Sequence, residues 1–450
     1  MKRLKVQNII IAINTIILLG IIGFYGYRLI HFYKIENPKV DETFNLVQTI
    51  TLEKNITTID EGLYETDEGF VFKGTNVNNY LEYSGYLFRI VSIDKNNNIK
   101  LITEESLTNL AWGIENNYDK SYIKSWLNGE NNNEGIFYKS LNNLYLTDTN
   151  FCIEKVNEES KKCTEIITDK VGLLSLEEYN NAGGTKSYLN TGNTWWLSNP
   201  SEEGVWYVYS NGNINDTLKI GKDYYSYGIR PVITIKGELA LITGDGTKEN
   251  PYKIEKETPN VLKNKNVGKY IKYSDLTWRI IEKNDKYVRV ALDGVLKENE
   301  EDLLTNFSTY SNVYAINNGI GKYLNNNFYN TLDKTNMVDG TIYVNRYDST
   351  VDFDYKGIFE TSINATVGMM QIGDLFMNDY TDYYLVSRTS TYVGTVYKVT
   401  ENNGLYADFP TEKAKIRPTI FLNLESPITS GDGSKSSPYI IDSIEGETNE

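Results

Sequence analysis

Few residues in this chain are equipped for chemistry. His31 is its only histidine, so neither a Ser-His-Asp or Cys-His nucleophile system nor a histidine-ligated zinc site is expected. Cys152 and Cys163 stand in an otherwise cysteine-free chain. They read more naturally as one small-loop disulfide than as metal ligands, the other reading being two unrelated free thiols. The acidic pairs Glu104-Glu105, Glu177-Glu178 and Glu202-Glu203 could supply a glycosidase couple, but 60 acids compete for that role and a solvated face is the default for such charges. Asp245 and Asp432 each place a single carboxylate in a GDG segment, whereas calcium asks for roughly six to eight oxygens, so these segments read as tight turns. No catalytic residue, metal or cofactor is assigned.

Binding chemistry has better candidates. Trp195, Trp196 and Trp206 could offer flat faces to a sugar or peptide, and strand alternation implies that only one of Trp195 and Trp196 points inward. Core packing is the competing reading. Arg230 could hold a carboxylate or sulfate through paired hydrogen bonds, and it joins the three tryptophans as a candidate ligand-binding residue. Arg89, Arg279 and Arg417 are expected to be structural, each set in a hydrophobic strand and paired with a buried carboxylate.

The elements that must position these residues are written twice. LFRIVSIDKNNNIKLIT (87–103) returns as TWRIIEKNDKYVRVAL (277–292), and IKSWLNGE (123–130) as IGKYLNNN (320–327). VGLLSLEEY (171–179) returns as VGMMQIGDL (367–375), GIRPVITI (228–235) as KIRPTIFL (415–422), and GDGTKENPYKI (244–254) as GDGSKSSPYII (431–441). The order is the same, and an offset of roughly 190 residues marks a duplicated domain rather than a solenoid unit. Within each copy, SYIKSWLNGE carries apolar residues on one helical face, and SLEEYNNAGG predicts a helix capped by Ser175 with Glu178 completing the box. TWWLSN, VWYVYS and IRPVITI predict strands. The expected class is α+β with antiparallel sheets.

The chain has 450 residues, 45 basic and 60 acidic, for a net charge of −15. That balance argues against a nucleic-acid backbone as partner. Residues 9–27 carry no charge and, at about 1.5 Å per residue, reach nearly across a hydrocarbon layer of roughly 30 Å. An uncleaved signal anchor is the preferred reading over a cleavable signal peptide, because the run is long and no A-x-A-like site follows. The resulting map is a cytoplasmic start and membrane anchor at 1–35, a linker at 36–65, a first repeat at 66–256, a second at 257–442 and a tail at 443–450. It places a single-pass protein in the cell membrane with its large C-terminal part extracellular.

The order of hairpin, S-x-W-L-N helix, V-x-L-L-S-x-E-E, W-W-L-S and G-I-R-P-V resembles an uncharacterised domain of surface proteins in low-GC Gram-positive bacteria. More distantly, the tryptophan strand, the aromatic strand and the final arginine-bearing strand are similar to C-type-lectin-like modules, a fold shared by the formylglycine-generating enzymes. The resemblance implies a surface binding domain and transfers no activity. The expected function is a membrane-anchored extracellular binding or scaffolding protein for a glycan, peptide or envelope protein. The alternatives are a carboxylate-based cell-wall hydrolase or a minor component of a secretion or pilus-like apparatus.

Overall fold

A computed structural model describes residues 45–113, 115–129, 135–157, 163–217, 226–256, 259–344, 346–347, 361–371, 374–375, 380–389, 394–400 and 405–441. In the first half, six strands of an eight-stranded sheet run in the order Val171–Gly172, Val232–Lys236, Asn98–Thr103, Tyr86–Asp94, Tyr80–Tyr83, Tyr252–Lys253. In the second half the order is Val367–Met369, Pro418–Leu422, Val288–Leu292, Leu276–Lys283, Tyr270–Tyr273, Tyr439–Ile441. Each strand thus sits where its sequence counterpart sits. The senses also match, antiparallel throughout except for the last pair, which is parallel in both halves. Even the irregularity repeats, with the register shifting between Ile90 and Ser92 and again between Ile280 and Glu282.

A second sheet accompanies each. Trp195–Pro200 pairs antiparallel with Val205–Val208 and parallel with Ser226–Ile229, while Tyr383–Thr389 pairs antiparallel with Val396–Val399 and bridges Lys415 in parallel at Tyr383. Helices are short pins between the sheets. Tyr122–Asn128 starts at Ser121, whose hydroxyl accepts from Lys124 N, and Leu176–Asn181 starts at Ser175 with the Glu178 capping box in place. Asn128 clamps Val171 by bonding its carbonyl (2.6 Å) and its amide (3.1 Å), and Asn325 does the same to Val367 at 2.9 and 3.3 Å. Two side-chain bonds to one residue satisfy the backbone of a very short strand, so this asparagine positions the sheet edge.

A further device also repeats. Lys100 pairs with Glu178, and in the second half Arg289 takes both oxygens of Asp374. The first half carries two additions of its own: the Gly62–Thr66 and Gly69–Lys73 hairpin on the far end of the Tyr86–Asp94 strand, and a disulfide between Cys152 and Cys163. Buried apolar side chains of the two halves form one contiguous cluster.

Two expectations are corrected. The fold is mostly β, with 40% strand and 14% helix, rather than the expected α+β class of two mixed domains with antiparallel sheets. The reason lies in length: the motifs read as helices supply one or two turns each, too few to stand without packing. The single-pass membrane placement also falls. No helix among the described residues is long and apolar enough to cross a membrane, and the expected anchor at residues 9–27 lies outside them.

Candidate functional site

An open groove of about 1150 Å³ lies in the second half. Its floor begins at the tight turn between the Tyr270–Tyr273 and Leu276–Lys283 strands. Ser274 and Asp275 both have positive φ there (52° and 60°), the geometry of a two-residue hairpin turn that suits Asp better than bulkier residues. One wall is the run after the Val288–Leu292 strand, including Asp293 and Val295, extended by the small hairpin of Lys297–Glu298 and Glu301–Asp302. The opposite wall is the helical stretch carrying Tyr323, Phe328 and Leu332, and Tyr380 and Lys415 close the end. The lining mixes apolar surface with a few convergent polar groups, the composition expected of a ligand site.

The polar groups are held in place. Tyr380 donates to Asp293 Oδ1 at 2.7 Å, and Lys435 reaches the two oxygens of Asp293 at 3.0 and 2.9 Å. Burial and the Asp293 carboxylate raise the Tyr380 hydroxyl above its ordinary pKa, while the hydrogen bond to Asp293 raises Lys435. Behind them the Arg417 guanidinium lies 4.8 Å from the Tyr380 ring, fixing the end wall by a cation–π contact. At the rim Lys415 pairs with Asp302 at 3.2 Å. Asp275 and Glu298 are exposed.

The first half builds the same groove. Tyr83 donates to Asn142 O as Tyr273 does to Asp333 O, and Ser84 Oγ accepts from Asn142 N as Ser274 Oγ accepts from Asp333 N, both at 2.8 Å. There, however, the groove is covered. The segment ahead of the second half's sheet lies on it: Tyr86 OH approaches Val267 O at 3.5 Å, and Arg279 Nη2 donates to Leu107 O at 3.0 Å. Any Cβ on Gly85 would stand 3.0 Å from Asn266 Nδ2, whereas the second half carries Asp275 at that place. Tyr86 is consequently buried and its counterpart Leu276 only half-buried.

The ligand-binding residues expected from sequence lie elsewhere, inside the protein. Trp195, Trp196 and Trp206 are all buried, so none offers a free face. Trp196 donates to Leu110 O and packs on Trp112, Tyr207 and Tyr227; Trp206 donates to Val156 O. The alternation argument failed because both faces of the Trp195–Pro200 strand are covered. Arg230 is fully buried beside Trp195, donating to Thr103 O and Leu189 O, and burial lowers its pKa to about 10.

The three arginines expected to be structural are placed as follows. Arg89 pairs with Glu104 at 3.3 Å and also bonds Asn79 and Val77 O. Arg279 bonds Gly268 O and reaches across to the first half, and Arg417 bonds Leu292 O. What sequence reasoning missed is the groove itself. Its one signal was the departure from repetition at Gly85 and Asp275, because a difference between copies marks where their surroundings differ.

Residues 96–237, within the first half, match a family described as a domain of unknown function, DUF6273. No curated protein and no solved structure matches the chain, so the likeness to Gram-positive surface domains and to C-type-lectin-like modules rests on the motifs alone.

Proposed function

We propose that the protein is a non-catalytic binding protein, built from a duplicated module, that receives a polypeptide partner in the open groove of its second half. One observation carries this reading: the equivalent surface of the first half is already covered by polypeptide, the run from Asn266 to Lys269. A surface shaped to take a chain in one copy retains the same turn and the same supporting bonds in the other. The expected sugar platform has lost its support, since stacking needs exposed aromatic faces and the three tryptophans are buried. Asp293, the carboxylate deepest in the network, accepts through both oxygens from Lys435 and Tyr380, which suits a fixed recognition group.

The test is an array of unstructured peptides and glycans probed with the full chain and with Val295→Trp, which fills the groove. Retention of peptides by the native chain, lost in the variant, is the expected result. Binding confined to glycans, or cleavage of the arrayed ligands, would overturn the reading.

A further inference from the structure

We infer that the open groove takes the first half of a second copy of this chain, so that copies join head to tail. The inference rests on the binding function proposed above and names the partner. Its template is the seam inside one chain. There the run 266–270 and the turn at 433–435 of the second half share a cavity with Gly85, Tyr86 and Leu107 of the first.

The first half carries the same face. NVNNY (76–80) matches NVGKY (266–270), and GDGTK (244–248) matches GDGSK (431–435). The pieces are joined alike: Tyr80 N donates to Gly246 O and Tyr270 N to Gly433 O, both at 2.9 Å. Ile90 N donates to Asn79 O and Ile280 N to Lys269 O, both at 2.8 Å. An arginine lies over each tyrosine ring, Arg89 at 3.8 Å from Tyr80 and Arg279 at 5.6 Å from Tyr270. In the second half this face is spent on the seam, whereas in the first half Asn76, Asn78 and Lys248 are exposed. The extra hairpin of the first half pairs along Ser92, Ile93 and Asp94, at the far end of the strand, and leaves those three residues uncovered.

The open groove offers this face the framework of the covered one. Glu104 N donates to Leu87 O and Asp293 N to Thr277 O, both at 2.9 Å. Leu107 N donates to Ile229 O at 3.0 Å and Leu296 N to Ile416 O at 2.8 Å. Asp275 adds an acceptor at the place where Gly85 faces the Asn266 amide, and on an arriving first half the counterpart of that amide is Asn76. The crossing bond from Arg279 to Leu107 O is not repeated, because Arg89 is held in its own half by Asn79, Glu104 and Val77 O. The joint between chains is therefore the weaker of the two. It also lacks the effective concentration, about millimolar, that a short linker gives the seam. Two unlike surfaces meet in it, so it leaves a free face at one end and a free groove at the other, and copies add one after another.

Sedimentation velocity of the full chain, in a concentration series up to about 1 mM, tests the inference. The average mass should climb past that of a dimer. Val295→Trp fills the groove, and Asn76→Glu with Asn78→Glu alters the arriving face at exposed positions. Each variant alone should stay monomeric, with the urea midpoint of the surface pair unchanged. An equimolar mixture should give a dimer and nothing larger, because one variant keeps only its face and the other only its groove. A native chain that stays monomeric, a native assembly that stops at the dimer, or association of either variant alone overturns the inference. A monomeric native chain that still retains arrayed peptides, with retention lost in Val295→Trp, keeps the groove function. A monomeric chain with a blank array loses both.

Discussion

The two grooves of this protein differ in one respect that governs the rest: one is filled by the chain itself and the other is open. Where the second half leans on the first, the turn residue is Gly85, Tyr86 is buried and Arg279 donates to Leu107 O across the seam. Where no described residue leans, the turn residue is Asp275, Leu276 is half-buried, and Asp275 and Glu298 are exposed. The two halves keep one scaffold because strand order and core are shared constraints, and they differ at the surface where, among the described residues, only the first has a neighbour. The ion pair beneath each sheet shows the same logic: Lys100 with Glu178 in one, Arg289 with Asp374 in the other.

That pair offers the strongest way to break the comparison. Arg289 is almost wholly buried, so Asp374→Ala leaves its guanidinium with only the 3.3 Å contact to the more accessible Glu282 and should cost about 3 kcal/mol, read as a lower urea midpoint. Lys100 is more accessible, and Glu178→Ala should cost about 1–2 kcal/mol, cap included. Equal losses would mean that the two pairs are not buried differently.

The disulfide belongs to the first half alone. It closes a separation of 11 residues, and Cys152→Ser with Cys163→Ser should cost about 2–3 kcal/mol by the same measurement.

Next in size is a pH effect. Asp169 is buried, and burial lifts its carboxyl to about 6 against the attraction of Lys124, while the second half has Ala365 at the matching position. A raised folded-state pKa means the native state holds the proton more tightly than the unfolded chain. Stability from this group is therefore full below about pH 4 and is lost as pH rises through about 6. Asp169→Asn should flatten that slope and add about 1–2 kcal/mol at pH 7, seen in urea titrations across pH 4–7.

The smallest change sharpens the seam. Tyr86→Phe removes a 2.9 Å bond with Ser140 Oγ and the long approach to Val267 O, for about 1 kcal/mol. Hydrogen exchange at the amides of residues 266–269 should rise in this variant while the open groove is unaffected.

Much of the scaffold was legible in the chain. The capping box at Ser175 and Glu178, the helix opening at Ser121, and the pairing of Arg89 with a carboxylate all follow from local rules, since the interacting residues are close in sequence or set by strand period. The balance of helix and strand was misjudged because helical periodicity over seven residues looks the same in an isolated turn and a long helix. The tryptophans were misplaced because a strand covered on both faces cannot be told from an amphipathic one where two large aromatic residues stand side by side at its start.

By itself, then, the sequence determined the repeated motifs, their order along the chain and the helix cap at Ser175 with Glu178, because these are set by residues close together in the chain. Which of two equivalent grooves is covered was decided by tertiary structure alone. That outcome depends on how one half lies against the other, through contacts such as Arg279 with Leu107 that join residues far apart in the chain. No periodicity or spacing encodes such a contact, and only the difference between Gly85 and Asp275 records it.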